Sequence, residues 1–277
     1  MRRHLQFRIA VGVVLLVPLG MTWAAPHNPP GQAPVLDEAL ALKKSQLAIG
    51  KSLSNHRFTD MRGNAVMLDS LRGKPLVLSL VYSSCYHTCP TITRSVANAV
   101  RAGRDALGKD SFNVITIGFD TATDTPTRMH AYAREHGIGD ERWQILSTDA
   151  ATLKALADEI GFTFFPSPRG FDHMTQTTVI DDKGKIYRQV YGEGFAVPAL
   201  VEPLKDLTLG RRASKKNWDG WINGVKLFCT VYDPASGRYK FDYSLFIGLF
   251  VGIVMLGGVA VFLVRAWREH RTPARPA

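Results

Sequence analysis

Cysteine is scarce, with only Cys85, Cys89 and Cys229 among 277 residues. That excludes a small scaffold stapled by disulfides, which needs several pairs in a short chain. Long apolar runs are scarce as well. Only two stretches are apolar enough to enter a bilayer, and the mean hydropathy is −0.04, which excludes a transporter of many spans. Acidic residues are outnumbered, 24 against 34 Lys and Arg, for a net charge of +10. The deficit of acid is uneven. Arg2, Arg3 and Arg8 precede the first apolar run. Arg265, Arg268, Arg271 and Arg275 follow the last, with Glu269 the sole acid among them. More than half of the basic excess therefore stands beside the apolar runs, where the positive-inside rule puts it, and this argues against a nucleic-acid partner. Hydrophobic residues at 45% and charged residues at 21% are ordinary globular values and exclude wholesale disorder or a coiled-coil rod.

The two apolar runs set the topology. Residues 1–8 are a basic leader, and residues 9–20 an apolar stretch interrupted by Pro18. Thr22 and Ala24 put small residues at the −3 and −1 positions of a secretory cleavage site, so residues 1–24 are expected to be a signal peptide. The competing reading is an uncleaved anchor; either way the following residues are exported. Residues 245–264 carry no charge, and at about 1.5 Å per residue they span a hydrocarbon core of about 30 Å. Tyr239, Phe241 and Tyr243 flank one end and Trp267 the other, as interfacial aromatics do. The arginines beyond predict a cytoplasmic tail over 265–277, with the main domain periplasmic and the plasma (bacterial inner) membrane crossed once after cleavage. Gly248 and Gly252 form one GxxxG, too weak a signal in a Gly-rich span to specify a dimer.

Between the runs the chain reads as an α/β domain. Pro26, Pro29, Pro30 and Pro34 make a stiff lead-in within residues 25–53, which also hold a short helix over 37–49. Residues 57–61 and 65–68 flank Arg62-Gly63-Asn64, a hairpin signal. Residues 75–82, PLVLSLVY, read as a central strand covered on both faces. Pro90 opens a helix over 91–107, and residues 112–119, FNVITIGF, form a second buried strand. A helix over 127–136, a strand over 143–147 and a helix over 150–160 follow. Strands over 176–180 and 185–191 flank the turn Asp181-Asp182-Lys183-Gly184, and residues 197–209 are the last helix. Such alternation gives a sheet with parallel strands and helices on its faces. Residues 210–244 turn basic and read as a tether, with Trp218 and Trp221 at the membrane surface or simply solvated.

Chemistry concentrates at Cys85 and Cys89. They form C-x-x-x-C-P at the carboxyl end of the central strand, the edge where open α/β sheets bind ligands. Pro90 is expected to hold Cys89 extended, near the N-cap of the next helix, where amides and dipole stabilise thiolate. Three readings stay open. A structural disulfide would close so short a loop that it removes little chain entropy. A thioredoxin-type dithiol usually has two intervening residues and a proline opposite, whereas here the facing loop offers Asp172-His173-Met174. With His173 as third donor, a Cys2His set favours copper(I) or zinc over magnesium or calcium.

Taken together, Leu80-Val81-Tyr82-Ser83-Ser84-Cys85-Tyr86-His87-Thr88-Cys89-Pro90, Phe119-Asp120 through Asp124-Thr125-Pro126, Gly161-Phe162 and Asp172-His173 resemble the Sco/SenC proteins over residues 54–209. The resemblance implies a thioredoxin-like fold. It implies copper bound by Cys85, Cys89 and His173, as copper(I) and also as copper(II). It implies a role in assembling the binuclear copper site of cytochrome c oxidase subunit II, or of a similar acceptor, with a separate copper donor. The chain departs from the family in having Tyr86 after the first cysteine, where many members have proline, and His87 as an extra imidazole within the motif. It also adds a C-terminal span, a feature of a bacterial subset, preceded by the segment around Cys229.

The expected function is a membrane-anchored copper chaperone, passing copper by ligand exchange. The alternative is a thiol-disulfide oxidoreductase in which Cys85 and Cys89 are catalytic and keep the acceptor's cysteines reduced. A thiol peroxidase is a third reading, with Thr88 and Arg94 as available helpers. Asp120 and Asp124 read as loop-capping residues rather than ligands, Cys229 as an inert thiol, and Phe162, Phe164 and Phe165 as packing. His130 and His136 fall on different faces of a helix and make no site.

Overall fold

A computed structural model describes residues 36–140, 142–168, 170–213, 230–234, 236 and 238–270. The expected signal peptide, the proline lead-in, Trp218, Trp221, Cys229 and the end of the basic tail lie outside the described residues.

The element order is α1 (Glu38–Gln46), β1 (Arg57–Asp60), β2 (Ala65–Met67), a 3-10 turn (Leu68–Leu71), β3 (Leu76–Val81), α2 (Thr88–Leu107), β4 (Asn113–Gly118), α3 (Pro126–His136), β5 (Trp143–Ser147), α4 (Ala150–Ile160), β6 (Phe164–Ser167), β7 (Gly170–His173), β8 (Gln176–Ile180), β9 (Ile186–Tyr191), α5 (Val197–Ala213), β10 (Thr230–Asp233), β11 (Arg238–Phe241) and α6 (Ser244–His270).

The apolar run of β3 is buried at every position because it has a strand on each side. β4 pairs with it in parallel, Val77 opposite Val114 and Val81 opposite Gly118, and β8 pairs antiparallel, Val77 opposite Val179. The seven-stranded sheet runs β2-β1-β5-β4-β3-β8-β9. The N-terminal hairpin thus extends the β5 edge, antiparallel to it, while β4 and β5 run parallel. Each large side chain buried along β3 and β4 contributes about 1.5–3 kcal/mol, so these strands anchor everything attached to their ends.

The helices begin and end where their side chains allow. Asp149 accepts from the amides of Ala151 and Thr152 to start α4. Thr125 accepts from Arg128 N to start α3, which has Pro126 at its first position. Helix α2 buries Cys89, Ile92, Thr93, Val96, Ala99, Val100, Gly103 and Leu107, the three-and-four spacing of one apolar face. That face packs against α5 and one continuous core.

Three expectations need correction. Helix α2 starts at Thr88, so Cys89 is helical rather than extended. Pro90 itself is tolerated in the first turn, where its missing N–H would have no partner anyway, and Cys89 N gains Cys85 Sγ as acceptor at 3.4 Å. Second, His173 is not in a loop but is the last residue of β7, opposite Phe164 in a two-stranded ribbon with β6. Third, the stretch read as a tether contains structure. α5 runs on to Ala213, and β10 and β11 form a hairpin in which Tyr232 faces Tyr239 and Lys240 pairs with Asp233 at 2.5 Å. Tyr239 donates to Glu202 on α5 at 2.9 Å, tying the hairpin to the domain.

Among the described residues one helix, α6, is long and apolar enough to cross a membrane, over Phe246–Arg265.

Candidate metal centre

The site is built at the carboxyl ends of β3 and β4. The ladder continues one step past both strands, with Phe119 N donating to Val81 O at 2.8 Å. The loops beyond are then tied by Asp124, which is 1% exposed. One of its oxygens accepts from Ser83 N at 2.9 Å, the other from Asp120 N at 2.9 Å. Burial pushes its carboxyl up, and the hydrogen bonds from Ser83 and Asp120 oppose the shift. This close approach requires Gly118, since a Cβ there would stand 2.5 Å from Asp124 Cβ. Asp124 is thus a latch between loops, with both oxygens committed to backbone.

From that latched end the chain turns back, Cys85 N donating to Tyr82 O at 3.1 Å. The turn sets the Cys85 sulfur over the first turn of α2. His87 occupies the N-cap position but its side chain caps nothing. Cys85 Sγ takes that role, accepting from Cys89 N at 3.4 Å. Cys85 is partly exposed, Cys89 is buried, and the two are unbridged. A hydrogen bond from the Cys89 thiol, helped by the Cys89 and His87 amides and the Tyr82 hydroxyl, brings the Cys85 thiol down to about 4 against the cost of its burial. The same hydrogen bond, with burial, pushes Cys89 far up. The arrangement favours negative charge on the Cys85 sulfur and the proton on Cys89.

His173 meets Tyr82 edge-on. Its ring lies 6.0 Å from Tyr82, 5.3 Å from Phe119 and 5.7 Å from Phe162, centroid to centroid. Phe171 and Phe164 close the cluster around Phe119. Nδ1 lies 3.4 Å from Met174 O, a weak contact in which Nδ1–H donates and Nε2 keeps its lone pair. Burial lowers the pKa of the imidazole, with the Met174 contact and the nearby Cys85 thiolate opposing it. A neutral ring with Nε2 unprotonated is the form that ligates metals.

The structure thus brings Cys85 and Cys89 into contact and packs His173 against Tyr82, near enough for the Cys85 charge to act on it. Among the described residues no three His, Cys, Asp or Glu side chains converge closely enough to hold an ion. Tyr86 is 84% exposed, and His87 is also exposed. The helpers of the peroxidase reading are engaged elsewhere: Thr88 Oγ1 donates to Glu193 and Arg94 to Thr91. Phe162 and Phe164 do pack, as expected, and they pack beside His173. Sequence reasoning missed Tyr82, Phe119 and Phe171 as site components. The usable signal was Tyr82 itself, an aromatic with a polar handle closing a wholly buried strand three residues before Cys85.

Fold and site together define a thioredoxin-like domain with a dithiol at a helix N-terminus. The family model described as SCO1/SenC matches residues 47–208, and the chain belongs to the SCO1/SenC family. A candidate electron transfer protein from Aquifex aeolicus VF5 is 28% identical, with 58% of this chain and 95% of that chain covered and a TM-score of 0.54. A SCO1/SenC family lipoprotein from Bacillus anthracis str. Ames is 20% identical, with 57% and 95% covered and a TM-score of 0.53. Bradyrhizobium japonicum ScoI, solved with copper bound, is 26% identical, with 57% and 99% covered and a TM-score of 0.46. Among curated protein sequences none matches.

Proposed function

We propose that this chain is a membrane-anchored copper chaperone, with Cys85, Cys89 and His173 as the ligands. The observation that carries the reading is the donor set of a SCO1/SenC chain: two sulfurs in contact at the start of α2, and an imidazole whose Nδ1 is turned to Met174 O, leaving Nε2 unprotonated, packed edge-on against Tyr82 beside them in sequence. Two thiolates and an imidazole suit copper(I), which prefers sulfur and low coordination numbers. Loading releases the Cys89 proton. Drawing His173 onto the metal moves a short ribbon, not a strand of the main sheet. Copper is cargo here. Cys85 is partly exposed, so an incoming cysteine or histidine of an acceptor can bond the ion as a chaperone ligand leaves, with no electron transferred.

The acceptor is the binuclear copper site of cytochrome c oxidase subunit II, or a site of the same Cys and His chemistry, and a separate donor supplies the metal. Residues 1–24 direct export, residues 54–209 work on the periplasmic side, and α6 anchors the chain in the inner membrane with its basic end cytoplasmic. The hairpin β10–β11 stands between the domain and that anchor.

A second reading is favoured by the asymmetry of the two sulfurs. Cys85, a partly exposed thiolate, is fitted to attack an acceptor disulfide. Cys89, the buried thiol, is fitted to resolve the mixed disulfide. Two electrons would pass to the acceptor, Cys85 and Cys89 would end as a disulfide, and an external thiol would have to reset them.

Titration of the reduced full chain in detergent with copper(I) against a competing chelator separates the two. Under the chaperone reading, His173→Ala weakens binding by about tenfold or more, which is at least about 1.4 kcal/mol, and still forms the Cys85–Cys89 disulfide. Equal binding by the variant would remove His173 from the ligand set and move the weight to thiol exchange.

A further inference from the structure

Helix α3 bonds both ends of the cysteine motif. Arg128, Tyr132 and His136 are spaced four apart and so share one face of that helix. Arg128 Nε donates to Ser83 Oγ at 3.3 Å, two residues before Cys85. One turn further on, the Tyr132 hydroxyl donates to the carbonyl of Cys89 at 3.4 Å. That contact is long, but the oxygen that makes it is held by a short one. Thr93 Oγ1 stands 2.6 Å from the Tyr132 oxygen, and since the Tyr132 proton goes to Cys89, Thr93 is the donor. The bonds therefore run from Thr93 to Tyr132 to Cys89. All three residues are buried, where a bond left unmade is costly. The His136 ring packs on the Tyr132 ring at 4.3 Å, centroid to centroid. Cys89 is a residue for which such support counts. It lies in the first turn of α2, and helix ends fray. It also precedes Pro90, and the residue before a proline prefers an extended backbone. Its N–H is answered by Cys85 Sγ and its carbonyl by Tyr132.

We propose that Tyr132, with Thr93 behind it, is a positioning residue for Cys89: it holds the first turn of α2 so that the Cys89 sulfur stays within reach of Cys85. The role rests on the ligand set proposed above. Tyr132 acts through the Cys89 backbone and takes no part in bond making. A turn that is held before metal arrives leaves less ordering to be done on loading. The same argument covers the disulfide, which also needs the two sulfurs at a fixed approach. Loosening the turn should therefore weaken both copper(I) binding and disulfide formation.

The test is Tyr132→Phe in the full chain in detergent, which keeps the ring and its packing on His136 and removes only the hydroxyl. Thr93→Val removes the other hydroxyl, and Thr93→Ser keeps it. Thr116→Val is the control. It breaks a buried bond of the sheet, from Trp143 Nε1 to Thr116 Oγ1 at 3.0 Å, that touches neither cysteine. Two quantities are read in each variant. Copper(I) affinity against a competing chelator should fall by about tenfold in Tyr132→Phe and in Thr93→Val, the scale on which outer partners of metal ligands act. Thr93→Ser should bind as wild type does. The equilibrium in which the Cys85 and Cys89 thiols and oxidised glutathione give the disulfide and two reduced glutathiones should shift towards the thiols by about tenfold in the same two variants. Thr116→Val should lower the melting temperature and leave both quantities unchanged. The double variant Tyr132→Phe/Thr93→Val should lose no more than either single one, because the two hydroxyls form one chain. Affinity and disulfide equilibrium both unchanged in Tyr132→Phe would overturn the proposal. So would equal losses in Thr116→Val, since the effect would then be one of stability alone. Absence of copper binding in wild type, or indifference to Cys89→Ser, would instead overturn the ligand set, and the disulfide equilibrium would still decide the role of Tyr132.

Discussion

The two halves of the site are held by different forces. Cys85 and Cys89 hang from β3 and α2, a six-residue buried strand and a 20-residue helix. Their loop is fastened by directional bonds, Asp124 to Ser83 and Cys89 N to Cys85 Sγ. His173 ends a four-residue ribbon that belongs to a separate two-stranded sheet. It is held by rings packed around Phe119 and by one weak contact from Nδ1. A hydrogen-bonded frame fixes position, whereas packed rings fix a neighbourhood and allow sliding. A carrier that must grip an ion and then release it gains from one ligand face that stays put and one that can move.

The comparison breaks most readily at Phe119, the ring shared by Tyr82, Phe162, Phe164, Phe171 and His173. Phe119→Ala should cost about 3–5 kcal/mol of stability by chemical denaturation. In the folded fraction, copper(I) affinity should drop to that of His173→Ala, while the cysteines still form their disulfide. Retention of His173-dependent binding would mean that the ribbon stands without its rings.

A smaller effect is expected on the other half. Asp124→Asn keeps one carbonyl acceptor but turns an NH2 group onto an amide that also donates. The cost should be about 1–3 kcal/mol. Because this latch ties the cysteine loop to the loop after β4 and bonds no residue of the ribbon, the imidazole NMR signals of His173 should stay in place. Their displacement would show that the two halves are not separately held.

The smallest effect is in pH, and it sharpens the contrast. Alkylation of Cys85 by iodoacetamide should stay fast from neutral pH down towards its value of about 4, with Cys89 protected. His173 should titrate below its ordinary 6.5. A histidine whose pKa is lowered on folding contributes its full stability above the unfolded value. It loses that contribution as pH falls through 6.5 towards the folded value, because the unfolded chain takes up the proton first. An NMR midpoint at or above 6.5 would contradict the enclosure of the ring.

Much of this was legible beforehand where burial repeats along one element. Residues 75–82 and 112–119 read as buried strands and are so within a residue or two. The helices over 127–136 and 150–160 were marked by Gly137 and Gly161 at their ends. The ribbon β6–β7 was not legible, because Pro166 and Pro168 fall within its short first strand and turn, and such prolines argue against a strand. The start of α2 was misread for a related reason. The rule for a residue before proline is local, and the bond from Cys89 N to Cys85 Sγ that rewards an earlier start is not. The hairpin β10–β11 hid in basic composition, since its stability comes from the Tyr232–Tyr239 pair and from Tyr239 reaching Glu202 on α5.

By itself the sequence determined the alternating α/β order, the dithiol at a strand end, the apolar helix and the family. Each of these is written as a period, a spacing or a run, and those follow from local geometry. Only the tertiary structure decided that the Cys85 sulfur accepts from Cys89 N, that Asp124 latches two loops, that His173 rides on a ribbon, and that Tyr82 packs against His173. These depend on which groups meet across distant parts of the chain. Hydrogen bonding, burial and pKa follow from that meeting and not from residue type.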